Sequence, residues 1–124
     1  MELLYSDVTH KIRKAAFNVY NELGFGHKEN VYQKSLEEEF NQIKLIYKKE
    51  VNLTVFYKDK KVGFYRPDFI IDDKIIIEIK SAEFIPKTFE TQLIYYLKST
   101  KFKLGLLINF GASKLQIKRL IWTG

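Results

Sequence analysis

Three charged residues, Asp68, Glu78 and Lys80, lie at the ends of an apolar stretch, RPDFIIDDKIIIEIK, residues 66–80. Side chains alternate across a strand, so Glu78 and Lys80 share one face while alternate isoleucines supply a core on the other. Oxygen-only ligands suit Mg²⁺ or Mn²⁺ better than zinc. The spacing therefore indicates a candidate site for a divalent metal, if Asp68 lies on the same face.

The turn between the two predicted strands decides where Asp68 lies. A three-residue loop at 72–74 pairs Ile71 with Ile75 and so places Asp68 opposite Glu78, whereas a two-residue loop would put the carboxylates on opposite faces. In the first register their β-carbons are about 5 Å apart. Two like charges that close repel by about 1 kcal/mol in water and about 4 kcal/mol at an effective dielectric constant of 20.

Two interpretations of this charge cluster remain open on spacing alone. In one, Lys80 offsets part of the repulsion between Asp68 and Glu78, and a bound Mg²⁺ or Mn²⁺ offsets the rest. In the other, the three residues are ordinary solvated charges on the exposed face of an antiparallel sheet. The remainder of the chain must distinguish the two.

Two helices are predicted ahead of the strands. The first begins at a cap provided by Ser6 or Asp7 and ends at Gly24, a residue suited to the position after a helix. The second spans residues 28–42. Helical spacing places four of its apolar residues toward the core, and these are Val31, Leu36, Phe40 and Ile43.

Alternating hydrophobicity from Leu45 onward predicts strands, beginning with a hairpin over residues 51–65 that turns at KDKK. Pro67 suits the first position of the next strand, where its missing N–H matters least. After Pro86, residues 89–100 return to helical spacing, and two strands follow over 104–110 and 113–122. This order predicts one α/β domain over residues 1–124, with a mixed sheet flanked by helices.

The composition narrows the class of protein. Lys and Arg number 21 against 15 Asp and Glu, a net charge of +6, which favours a polyanionic partner such as nucleic acid. The absence of cysteine excludes disulfides, thiolate zinc sites and thiol nucleophiles. No secretory signal or membrane-length apolar run is present, so we expect a soluble, cytoplasmic protein with no membrane partner.

Two motifs together resemble a known family. Residues 67–68 and 78–80 resemble the PD…ExK signature of the restriction-endonuclease-like nuclease superfamily, and GHKENVY, with Gly26, Glu29 and Tyr32, resembles the motif of its GxxExxY branch. RPD, EIKS, QLIYYLK, LGLLINFG and IKR fall in the same order, so the resemblance covers essentially the whole chain. The sequence departs from the commoner family pattern at His27, Lys28 and Pro67.

The resemblance implies a catalytic hairpin at the centre of the sheet and a helix whose first turn delivers a further acid, matched by Glu29. A carboxylate there also simply favours the helix N-terminus. Gln92 and Tyr96 match a QxxxY pattern and share a helix face, although an aromatic residue at this spacing is often part of the core. The expected catalytic residues are Glu29, Asp68, Glu78, Lys80 and Gln92, and the expected metal ligands are Asp68, Glu78, Glu29 and the carbonyl of Ile79.

The function expected from this resemblance is Mg²⁺- or Mn²⁺-dependent hydrolysis of phosphodiester bonds in DNA, with RNA as the second choice. The alternatives are a nucleic-acid-binding or accessory protein that keeps the fold without cutting, and a structural or interaction protein. Oligomeric state stays open, with a homodimer among the options. The expected nucleic-acid contacts are Lys28, Lys87, Tyr96, Lys98 and Lys101.

Overall fold

The computed structural model describes residues 4–124, which form helices, a five-stranded sheet and a separate two-stranded sheet. The helices are α1 (Ser6–Leu23), α2 (Glu29–Gln42) and α3 (Lys87–Thr100). The strands are β1 (Tyr47–Lys49), β2 (Leu53–Tyr57), β3 (Lys60–Tyr65), β4 (Phe69–Ile71), β5 (Ile75–Lys80), β6 (Leu104–Asn109) and β7 (Gln116–Ile121). No helix in this described part is long and apolar enough to cross a bilayer.

The larger sheet has the strand order β1-β4-β5-β6-β7. Strands β5 and β6 run parallel, because α3 makes the crossover between them, and the other neighbouring pairs are antiparallel. This is the predicted mixed sheet flanked by helices. The β2–β3 hairpin forms a sheet of its own and packs against α3. The β4–β5 hairpin therefore includes the central strand of the domain.

The turn between β4 and β5 has the three-residue register predicted from the sequence. Ile71 pairs with Ile75, and the Lys74 N–H donates to the Ile71 carbonyl at 2.9 Å. Asp72 and Asp73 both adopt φ near 54°, a left-handed conformation that aspartate tolerates better than most residues. The register places the residue before β4, Asp68, beside Glu78.

Both faces of β5 are covered. Helices α1 and α2 pack over the face that carries Ile75, Ile77 and Ile79. On the opposite face, Ile76 joins a second apolar cluster with residues of α3, β3 and β6, which are Tyr65, Leu93, Leu97 and Leu107. Glu78 and Lys80 thus lie on a face that is largely shielded from solvent, and the exposed-sheet interpretation of these charges does not hold.

The predicted cap of α1 is wrong. Ser6 and Asp7 lie inside the first turn, and the capping position is held by Tyr5, which has φ 55° and makes no capping hydrogen bond with its side chain. The other end was predicted correctly: the helix stops at Leu23, and Gly24 has φ 73°, in the region that glycine favours.

Part of the predicted core of α2 is also wrong. Tyr32 is fully buried where Val31 was expected, and Ile43 is 49% exposed beyond the end of the helix. Tyr32 can be buried because its hydroxyl donates to the Gly24 carbonyl at 2.7 Å and accepts the His27 N–H at 3.1 Å. Its ring stacks on Phe110 at the end of β6. Tyr32 therefore fixes the loop ahead of α2 as well as the helix.

Candidate active site

Asp68 lies where β4 separates from β5. Pro67 was predicted to open a strand, but β4 begins at Phe69. The Asp68 carboxylate replaces a backbone carbonyl as the partner of β5 at this point, because its Oδ2 accepts the Ile79 N–H at 2.7 Å. Its Oδ1 accepts a hydrogen bond from Gln33 Nε2 of α2. Asp68 is therefore held from two sides, by β5 and by α2.

The Ile79 carbonyl points toward Asp68, into the gap where β4 separates from β5. The Lys80 carbonyl points toward β6 and accepts the N–H of Phe110, the residue after β6, at 2.9 Å. Successive carbonyls alternate in direction along a strand, so the Ile79 carbonyl points away from β6. The register continued by two pairs beyond Phe69 and Ile77 would place Pro67 opposite Ile79. Proline has no N–H, so Pro67 leaves this carbonyl oxygen without a ladder donor. The oxygen faces the side on which Asp68 lies.

Glu78 is held by a tyrosine that the sequence interpretation missed. The Tyr65 hydroxyl, at the end of β3, donates to Glu78 Oε1. Burial, followed by the Glu78 charge, raises the pKa of the Tyr65 hydroxyl far above its ordinary value, so it remains a donor at neutral pH. The Tyr65 ring stacks on Tyr96 of α3, with centroids 3.7 Å apart and planes within 5°. Helix α3 thus supports the orientation of Glu78 through two rings.

Both carboxyl groups are hard to ionise in this environment. Burial raises the pKa of Glu78 to about 7, with the Tyr65 hydrogen bond opposing the rise and the Asp68 charge adding to it. Burial also raises the pKa of Asp68, while the Ile79 N–H, Gln33 and the Lys80 charge oppose the rise. The pair is therefore an oxygen-rich position that favours an additional positive charge.

Lys80 follows Glu78 on the same face, with its ammonium 4.7 Å from the centre of the Phe89 ring. The ammonium charge lowers the pKa of both carboxyl groups. A cavity of about 30 Å³ lies beside it, with room for about one water molecule. Its lining residues are Tyr65, Glu78, Lys80, Phe89, Gln92, Leu93, Tyr96 and Leu107. Lys80, Glu78 and Gln92 therefore line one small cavity whose other walls are mostly apolar or aromatic.

Glu29 is less closely associated with this centre. It is the first residue of α2 and is exposed, and its charge makes the last of the contributions to the raised pKa of Glu78. Within residues 4–124, no three carboxylate or imidazole groups lie close enough together to form a metal cluster. Glu29 instead borders an open cleft of about 640 Å³, together with Lys28 and residues 81–83. The close pair consists of Asp68 and Glu78.

The predicted nucleic-acid contacts do not form one patch. Lys28 precedes α2 at the open cleft, and Lys87 is the first residue of α3. Lys98 and Lys101 lie at the other end of α3, which is about 20 Å long, and the Lys98 ammonium lies 5.3 Å from the centre of the Trp122 ring. Tyr96 is partly buried, with one face of its ring occupied by Tyr65.

Asn109 is a second residue that the sequence interpretation missed. It is fully buried at the end of β6, where its side chain accepts the Ala82 N–H and donates to the Ala82 carbonyl, both at 2.9 Å. Gly111 packs so closely on this segment that a β-carbon there would lie 2.1 Å from the Ala82 nitrogen. The loop that follows Lys80 is thereby fixed. An asparagine inside the apolar strand LGLLINF was the available signal.

The fold and the site together define a restriction-endonuclease-like α/β domain. The PD-(D/E)XK nuclease superfamily model matches residues 6–120, and the chain therefore belongs to that superfamily. Among solved structures, the crystal structure of SSO0001 is similar, with a TM-score of 0.58 and 21% sequence identity. The match covers 74% of this chain and 48% of the SSO0001 chain, and at this identity it shows the fold alone. No curated protein matches the sequence significantly.

Proposed function

We propose that the protein is a metal-dependent nuclease that hydrolyses phosphodiester bonds in DNA. The observation that carries this proposal is the partly buried pair Asp68 and Glu78, both with raised pKa values, beside Lys80 on the central strand. Two buried carboxylates with one partly offsetting lysine are costly unless a cation joins them. Membership of a nuclease superfamily supports the same reaction class.

The donor atoms fit Mg²⁺ or Mn²⁺. Asp68 and Glu78 offer carboxylate oxygens, and the Ile79 carbonyl faces the same gap, so the set is oxygen only, which suits these ions. Glu29 is the fourth candidate ligand, at the start of α2. When bound, the metal supplies Lewis acidity and lowers the pKa of a coordinated water.

The remaining residues of the site have separate roles in this proposal. Lys80 orients the attacking water and stabilises the negative charge that develops on the phosphate oxygens. Gln92 lines the same small cavity and can hydrogen-bond to that water. Tyr65 keeps Glu78 Oε1 in place, and the Phe89 ring, 4.7 Å from the Lys80 ammonium, helps to hold that charge in position.

The basic surplus of the chain supplies contacts to the substrate backbone. Lys28, in the cleft that Glu29 borders, and Lys87, the first residue of α3, are proposed to bind phosphates beside the scissile bond. Lys98 and Lys101, at the far end of α3, are proposed to bind phosphates further along, with Tyr96 as an additional contact. Such contacts release counterions, which makes DNA binding sensitive to salt.

One observation favours a second candidate function. Glu29 is exposed and stands apart from the carboxylate pair, so the site of the described residues 4–124 has two close acids rather than three. A nucleic-acid-binding protein that does not cut would tolerate such a site. Cleavage assays distinguish the two functions directly.

The test is Lys80→Ala, measured by Mg²⁺-dependent cleavage of plasmid and single-stranded DNA. We expect a loss of at least about a hundredfold in rate, about 2.7 kcal/mol, because an interaction made in the transition state is removed. Metal binding should remain, since the Lys80 side chain is not one of the proposed metal ligands. The control is Lys74→Ala, an exposed lysine in the β4–β5 turn. Cleavage by Lys80→Ala at the wild-type rate would overturn the mechanism.

A further inference from the structure

The outer face of the β2–β3 hairpin is unusually apolar and basic for an exposed surface. The inner face carries Leu53, Val55 and Tyr65, which pack toward α3. The outward side chains follow from the strand register, with a bulge between Val55 and Phe56. They form two cross-strand pairs, Thr54 with Phe64 and Phe56 with Lys61. We call these four residues the hairpin face.

Two phenylalanine rings lie on the hairpin face. Phe64 is 70% exposed and Phe56 is 43% exposed. Clustered exposed aromatic side chains usually mark a binding surface. The nearby tip adds exposed Tyr57, whose ring lies 5.4 Å from the Lys58 ammonium. The rings offer flat faces on which another planar group can stack.

The charge on the hairpin identifies the chemistry of the partner. The turn and the adjoining β3 residues carry Lys58, Lys60 and Lys61 against one acid, Asp59. The ion pairs formed within residues 4–124 involve other lysines, so these three ammonium groups are available to a ligand. A second copy of the chain would bring like charges together, whereas a polyanion would neutralise them.

We propose that the hairpin face binds a single-stranded segment of nucleic acid, with bases stacked on Phe64 and Phe56 and phosphates beside the lysines. Stacking requires unpaired bases, because a duplex hides their faces. The candidate site lies on the inner side of the hairpin, where Tyr65 contacts Glu78, so a strand bound on the outer face reaches the site by passing over the Tyr65 end, about 17 Å from the tip. This inference rests on the proposed nuclease function and specifies its substrate class.

The test is fluorescence anisotropy with a labelled oligothymidylate and a labelled duplex of the same length, in EDTA so that no cleavage occurs. Wild type should bind the single strand more tightly than the duplex. Phe64→Ala should weaken single-strand binding by about tenfold, because one stacked base is lost. Lys61→Ala should reduce the salt slope by about 0.7, the value for one phosphate on a single strand.

The matched control is Phe17→Ala, which removes an exposed phenylalanine from α1 on the other side of the sheet. It should leave binding unchanged. Unaltered single-strand affinity in Phe64→Ala, or equal affinity of wild type for strand and duplex, overturns the inference. Loss of self-association in Phe64→Ala with unchanged DNA affinity also overturns it, in favour of a second copy. Cleavage by wild type with Mg²⁺ reports on the nuclease function independently of these outcomes.

Discussion

The two faces of β5 differ in chemistry although they belong to one six-residue strand. One face presents Ile75, Ile77 and Ile79 to α1 and α2, and all three are buried. The other presents Ile76 to α3 and then two ionisable groups, Glu78 and Lys80. The first face stabilises the fold by removing apolar area from water. The second face lacks this apolar stabilisation at two of its three positions, Glu78 and Lys80.

The charged face is stabilised by specific partners instead. Tyr65 donates to Glu78, and Phe89 packs against Lys80. These contacts position the side chains without neutralising the pair formed by Asp68 and Glu78, whose pKa values both remain raised. One strand can therefore present an apolar face that stabilises the fold and an opposite face whose ionisable groups are available for chemistry.

The largest expected effect on stability lies on the isoleucine face. Ile77→Ala removes a fully buried side chain and should lower the free energy of unfolding by about 2–5 kcal/mol. Urea denaturation measures the change. Ile121→Ala, on the partly exposed edge strand β7, is the control and should cost much less. If Lys80→Ala lowers the free energy of unfolding as much as Ile77→Ala does, the claim that the isoleucine face alone stabilises the fold is wrong.

The charged face should make the metal-free protein less stable as pH rises. Because the pKa of Glu78 is raised in the folded protein, from 4.5 to about 7, the folded state binds the proton more tightly. The stabilisation is complete below pH 4.5 and is lost as pH rises through about 7, a change of about 3 kcal/mol. Urea denaturation in EDTA between pH 4.5 and pH 8 measures it.

Glu78→Gln is the control for this pH dependence, since glutamine keeps the shape and an acceptor for Tyr65 but does not titrate. The variant should lose most of the decrease in stability between these pH values. Adding Mg²⁺ at pH 8 should restabilise wild type more than the variant, because a ligand that binds only the folded state stabilises it. An identical pH profile in both proteins would show that Glu78 is not the titrating group.

A smaller effect is expected from the hydroxyl that orients Glu78. Tyr65→Phe keeps the ring that stacks on Tyr96 but removes the donor to Glu78 Oε1. Loss of such a supporting contact should reduce metal affinity by about tenfold. Tyr47→Phe is the matched control, because its hydroxyl donates to Asn41 on the α2 side of the domain. Equal metal affinity in both variants would limit Tyr65 to a packing role.

Much of the fold could be predicted because its signals are local. The turn at Asp72 and Asp73 fixes the register of β4 and β5, and Gly24 marks the end of α1. The strand β1 could not be delimited, because its three residues are too few for alternation to show. Ile43 was misplaced because it follows the helix predicted over residues 28–42, where helical periodicity no longer fixes the direction of a side chain.

The candidate site was less accessible from sequence than the fold. The spacing of Asp68, Glu78 and Lys80 is local and was visible. The partners that hold them are not: Tyr65 meets Glu78 from a separate two-stranded sheet, and Gln33 meets Asp68 across 35 positions of sequence. Such contacts depend on how α2, α3 and the hairpin pack, which no local pattern specifies.

Isothermal titration calorimetry with Mg²⁺ and Mn²⁺ tests the central claim that Asp68 and Glu78 hold a divalent metal. A unit charge about 4 Å away contributes about 4 kcal/mol per cation charge at an effective dielectric constant of 20, so Asp68→Asn should lose at least about a hundredfold in affinity. Asp73→Asn, in the exposed turn of the same hairpin, is the control and should bind like wild type. Equal affinity in Asp68→Asn and wild type would contradict the account and remove the metal from this face of β5.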